Sequence, residues 1–118
     1  MTPLDEAERE SRLWHIADAA ANIIAISTNR SFDDYENDLQ FRWAIERGLM
    51  IVGEAMVRLR KVDPDIVSRI TNVPKIIGFR NQVVHEYPDI EDADVWEIVQ
   101  RHIPLLLAEV RALLPPTP

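Results

Sequence analysis

Residues 41–60 read FRWAIERGLMIVGEAMVRLR. Trp43, Ala44, Ile45, Leu49, Val52, Gly53, Met56 and Leu59 recur at helical steps and form a broad apolar stripe. The stretch is predicted to lie in a long helix that begins near Asp33 or Asp34 and runs to about Arg60. Gly53 lies inside it, where glycine costs about 1 kcal/mol against alanine. That cost makes sense where another backbone comes close. Glu54 stands beside the apolar run as a helix-face acid or an ion-pair partner.

At the N-terminal end, Thr2-Pro3-Leu4-Asp5 reads as a helix start, with Thr2 as cap, Pro3 at the first helical position and Asp5 at the positive end. Leu13, Ile16, Ala20, Ile23 and Ile24 continue it to about Ser27, and STNRSFDDYEN follows as a polar link. Asp63-Pro64 starts a short helix to about Ile70. Asn72-Val73-Pro74 starts another, which carries Ile76, Ile77, Phe79, Val83 and Val84 and should stop at Pro88. A last helix from about Asp92 presents Val95, Val99, Ile103, Leu106, Leu107, Val110 and Leu114. The LLL at 105–107 is more apolar than one face needs and would suit a partner subunit or a snug monomeric core alike. No alternating strand and no internal repeat interrupts this pattern. The expected fold is all-α, an up-and-down bundle of about five helices. Residues 1–114 make one domain and 115–118 a flexible tail.

The chain has 118 residues, no cysteine and a formal charge of −7. The lack of cysteine excludes disulfides, a thiol nucleophile and thiolate metal ligands. An acidic N-terminus and no run near the ~18 apolar residues of a membrane span point to a soluble, cytoplasmic protein without membrane contact. The net charge speaks against broad nucleic-acid affinity, but its distribution is uneven. Residues 1–41 hold nine acids and three bases, residues 42–80 eight bases and four acids, and residues 81–118 seven acids and two bases. A basic middle third suits a polyanion, or is simply the ordinary dressing of helix surfaces.

That basic third ends in RNQVVHEY, residues 80–87. On a helix Asn81 and His85 share a face, while Arg80 lies about 140° around the axis from His85. Its long stem can still reach the same region. Phe79, Val83 and Val84 can anchor the inner side. An arginine fork matches phosphate oxygens, a histidine exchanges protons near neutrality, and an asparagine can orient either. Such a group can bind an RNA phosphate and assist attack by the 2′-hydroxyl. Cleavage of that kind wants both a base and an acid, so a second copy from a symmetry mate would help. By spacing alone the same residues also serve as the polar edge of a packed helix. His15, His85 and His102 lie far apart in sequence, no Glu-x-x-His pair occurs, and three glycines make no phosphate loop. No metal and no cofactor is expected.

Arg80, four residues, His85, one residue and Tyr87, with Asn81 after the arginine, resemble the motif of the HepT-like branch of the HEPN superfamily. Ile51-Val52-Gly53-Glu54-Ala55 resembles the branch's IGEA stretch. Asp89-Ile90 with Val95-Trp96 resembles its lead into the last helix. The resemblance runs over roughly residues 5–114. It departs at Lys75, where tryptophan is frequent, at Phe79, where methionine is common, and at Pro88, where phenylalanine is frequent. The resemblance implies a HEPN-like bundle that pairs as a homodimer, acting as the toxin of a toxin–antitoxin pair and as a metal-independent endoribonuclease on RNA. It also implies a small MNT-type nucleotidyltransferase antitoxin that transfers AMP to the motif tyrosine. Carried over, Arg80 and His85 are the catalytic pair, Asn81 supports them, Glu54 faces the site, and Tyr87 is the AMPylated residue. The alternative is a non-catalytic helical module that acts through the nucleotidyltransferase partner.

Overall fold

The computed structural model describes residues 1–84 and 91–116. The expected helix stop at Pro88 and the last two residues of the expected tail lie outside them. Helix α1 (Pro3–Ser27) starts as the sequence requires. Asp5 N–H donates to Thr2 Oγ1 at 3.1 Å and Thr2 N–H to Asp5 Oδ2 at 3.2 Å, closing a reciprocal capping box. The face carrying Leu13, Ile16, Ala20 and Ile23 is buried. Each such full burial stabilises by roughly 1.5–3 kcal/mol for the larger side chains.

The long helix expected from Asp33 or Asp34 is divided. Helix α2 (Phe32–Asn37) is capped by Ser31, and helix α3 (Leu39–Val62) by Asp38. Asp38 has an extended backbone (φ −99°, ψ 102°), gives its N–H to the Asp34 carbonyl, and accepts from Phe41 N–H at 3.2 Å through Oδ1. A short carboxylate that offers the backbone this alternative ends one helix and begins the next. The break fixes the rotation of α3. Phe41, Ile45, Leu49, Val52, Met56 and Leu59 point inward, whereas Ala44 is exposed and Trp43 is 63 % exposed. The expected stripe therefore loses Trp43 and Ala44, since Trp43 lies two residues, about 200°, around the axis from Phe41.

Helices α1 and α3 run antiparallel. Arg9 near the start of α1 pairs with Asp63 just past α3 at 3.2 Å, while Ile23 near its end meets Gly48 of α3. A Cβ on Gly48 would sit 2.6 Å from Ile23 Cγ1, so the glycine lets the two helices close. Asp63 also caps helix α4 (Pro64–Ser68) by accepting from Ile66 N–H at 3.2 Å. Asn72, in the left-handed region at φ 61°, then turns the chain into helix α5 (Val73–Val84).

The last helical run comprises helix α6 (Asp92–Glu97), a π-helical turn (Ile98–His102) and helix α7 (Ile103–Leu113). The widened turn lies just ahead of Pro104, whose ring would crowd the carbonyl of Gln100 in a regular helix. The described residues thus form six helical runs and no strand. Val95, Val99, Ile103, Leu106, Leu107, Val110 and Leu114 are all buried, and of the LLL only Leu105 is exposed.

Arg42 of α3 grips Asp92 of α6 through two bonds of 3.0 and 2.7 Å. Its guanidinium also lies 4.7 Å over the ring of the fully buried Tyr35, which stacks on Trp96. This clamp holds the Asp92 carboxyl below the usual range, while burial pushes the Tyr35 hydroxyl and the Glu46 carboxyl up. It joins the start of α3 to the start of α6, the element that follows residues 85–90.

Candidate active site

Helix α5 buries Val73, Ile76, Ile77 and Phe79. Val83, expected to anchor beside Phe79, is 38 % exposed. This rotation turns Arg80 toward α3, where Gly53 receives it. A Cβ on Gly53 would lie 2.6 Å from Arg80 Cβ and 3.5 Å from the Ile76 carbonyl oxygen. The close neighbour anticipated at Gly53 is therefore the stem of Arg80 more than a backbone. The missing side chain lets the arginine lie against α3.

The next residue of α3 then holds the guanidinium. Arg80 donates from Nε (3.1 Å) and Nη2 (3.0 Å) to Glu54 Oε2, and from Nη1 to Asn81 Oδ1 at 2.9 Å. Three N–H groups are taken within the described residues, which leaves one on each terminal nitrogen to donate to a ligand. Arg80 keeps 21 % of its side-chain exposure, enough for its outer edge to meet a ligand. Glu54 Oε1 accepts from Arg58 Nε at 3.3 Å. The bond from Arg80 first, and then that from Arg58, holds the Glu54 carboxyl below its ordinary range. Glu54 is thus ionised at neutral pH and fixes Arg80 by charge-assisted bonds.

Of the expected site residues, the structure brings together Arg80, Asn81 and Glu54. His85 and Tyr87 lie outside the described residues. Arg58 joins the site without belonging to the motif, although its spacing of four from Glu54 is legible in the sequence. Among the described residues no three His, Asp or Glu side chains converge as a metal site, and no helix is long and apolar enough to cross a membrane.

The fold and the site define an all-helical protein that seats an arginine on a glycine, with a glutamate and an asparagine bonded to its guanidinium. Residues 16–113 match the family model described as Ribonuclease HepT-like. The chain belongs to this HepT-like ribonuclease family. It is 30% identical over 100 residues to "Putative RNase MJ1380" of Methanocaldococcus jannaschii, covering 83% of this chain and 89% of that one. It is 31% identical over 104 residues to "Putative RNase TTE0752" of Caldanaerobacter subterraneus subsp. tengcongensis, covering 86% and 90%. No solved structure is significantly similar. Family membership supports an RNA-cleaving enzyme, an endoribonuclease.

Proposed function

We propose that the chain is a metal-independent endoribonuclease acting as the toxin of a toxin–antitoxin pair, with Arg80 and His85 as its catalytic residues. The observation that carries this reading is Arg80 seated on Gly53, with one N–H on each terminal nitrogen left over among the described residues. These donors meet the scissile phosphate. His85 takes the proton of the 2′-hydroxyl as its oxygen attacks phosphorus, and the bond to the 5′-oxygen breaks. A second His85, from the partner copy of a homodimer, protonates that leaving oxygen. The products are a 2′,3′-cyclic phosphate and a 5′-hydroxyl. Arg80 neutralises the charge that grows on the phosphorus oxygens. Asn81 and Glu54 act through Arg80 as positioning residues.

In the same reading Tyr87 is AMPylated by an MNT-type nucleotidyltransferase antitoxin. The added phosphate would occupy the donors of Arg80 and exclude RNA by charge and bulk. The deciding experiment is RNA cleavage in the presence of chelator, with intact mass establishing that Tyr87 is unmodified. The expected result is cleavage by the unaltered protein and none by His85→Ala. Inactivity of both, with the protein dimeric, would favour a binding module that works through the nucleotidyltransferase.

A further inference from the structure

A groove of about 460 Å³ runs between α1 and α3, beside the arginine site and outside the motif. Arg12 and His15 line it from α1, and Arg47, Met50, Ile51 and Arg58 from α3. Glu54 forms the wall that separates it from Arg80, with one carboxylate oxygen on Arg80 and the other on Arg58. The groove therefore continues the row of guanidinium groups past the catalytic arginine.

Its charge is unlike that of the molecule. Three arginines face it in a chain of net charge −7. Arg12 pairs with Glu8 at 2.8 Å and Arg58 with Glu54 at 3.3 Å, both one helical turn apart. Surface pairs of this kind contribute little to stability, so breaking them costs a bound phosphate little. Arg47 is exposed and makes no ion pair among the described residues. Arg12 Nη1 lies 3.4 Å from His15 Nδ1, which places the imidazole beside the guanidinium on the α1 side of the groove. Between the charges, Met50 and the 40 %-exposed Ile51 give an apolar floor on which a sugar or base can rest.

We propose that this groove is an extended binding subsite for single-stranded RNA, in which Arg12, Arg47 and Arg58 take phosphates flanking the one held by Arg80. The subsite rests on the ribonuclease reading and adds to it the path of the strand. A second copy of the chain is the competing occupant. It would crowd two sets of these arginines into one desolvated layer, which the charge disfavours.

The test is the binding of a fluorescent 2′-O-methyl RNA oligonucleotide, which lacks the attacking hydroxyl, to the full chain over a range of salt. The double variant Arg12→Gln with Arg47→Gln is compared with a charge-matched control, Arg101→Gln with Arg111→Gln, each checked for an unchanged melting curve. The groove variant is expected to bind about tenfold more weakly at low salt. Its slope of log K against log salt should fall by about 1.4, roughly 0.7 for each phosphate that is no longer neutralised. The control should bind within about twofold of the unaltered chain. Unchanged affinity and slope in the groove variant, or an equal loss in the control, would overturn the subsite and leave the ribonuclease reading standing. A shift in oligomeric state on sedimentation, with RNA binding intact, would assign the groove to a second copy instead. An unaltered chain that neither binds nor cleaves RNA would bring down the ribonuclease reading, and the subsite with it.

Discussion

Gly53 and Gly78 are both helical glycines, and their surroundings differ sharply. A Cβ at Gly53 would lie 2.6 Å from Arg80 Cβ, whereas nothing stands within 4 Å of one at Gly78. Gly53→Ala is therefore expected to destabilise by about 1–3 kcal/mol through overpacking, and to push Arg80 off Glu54. Gly78→Ala gains helix propensity and should be neutral or up to about 1 kcal/mol more stable. Thermal or denaturant melts of both variants check the pair, and equal melts would mean that α5 slides past Gly53 without strain. Glu54 gives a second test at this scale. Its carboxyl is held below the ordinary value by Arg80 and Arg58, so the folded state favours the ionised form. The resulting stabilisation is present above about pH 4.3, the unfolded value, and is lost as pH falls through the folded one. With 42 % of the side chain exposed, solvent screens the contribution to a small one. The stability gap between the unaltered protein and Glu54→Gln should accordingly narrow on acidification, as read by denaturant melts between about pH 6 and pH 3. At neutral pH Glu54→Gln should lower RNA cleavage roughly 10- to 100-fold by loosening Arg80.

Among the elements, the clamp between α3 and α6 rests on one side chain, Arg42. Arg42 makes both bonds to Asp92 and covers the Tyr35 ring. Arg42→Ala should cost about 1.5–3 kcal/mol, the range for hydrogen bonds to charged groups. Arg42→Lys should recover less than half of this, because a point charge cannot reproduce the fork. Guanidinium-chloride melts of the two variants would check it, and a loss below about 0.5 kcal/mol for Arg42→Ala would show that the aromatic packing alone holds α6. How far the elements are legible in the sequence follows from the distance over which each is determined. The start of α1 and the cap at Asp63 are set by side chains within three residues, and the sequence shows both. The division at Asp38 depends on a contest between a continuous helical pattern and a local cap, and periodicity alone favours the wrong side. The inward turn of Phe41 and outward turn of Trp43 follow from that break. The π-helical turn before Pro104 is likewise a compromise between a proline and an apolar stripe that continues through it. Gly53 is readable as a place of close approach. That the approaching group is the stem of Arg80, with Glu54 its partner, needs the crossing of α3 and α5, which brings together residues 26 apart in sequence.

Whether one chain makes a complete site depends on the proton carriers that it holds. The described face offers Arg80 with its partners Asn81 and Glu54, and none of the three is a proton-transfer group of ordinary pKa near neutrality. The motif contains a single histidine, His85, whereas attack by the 2′-hydroxyl and departure of the 5′-oxygen each need a proton moved. If the two copies of a homodimer contribute one histidine each to a shared cleft, activity belongs to the dimer rather than to the chain. Mixing then separates the alternatives. Unaltered protein and His85→Ala are co-refolded at known ratios so that dimers form at random, and cleavage is measured at constant total protein. A shared cleft requires two intact chains, so activity should fall as the square of the unaltered fraction, to about one quarter in an equal mixture. Independent sites would fall linearly, to about one half in the same mixture. The squared dependence is the expected outcome, since one imidazole cannot hold and lack the same proton at the moment of bond exchange. A linear dependence would place acid and base on one chain, and would direct the search for the second proton carrier to the groups around Arg80 itself.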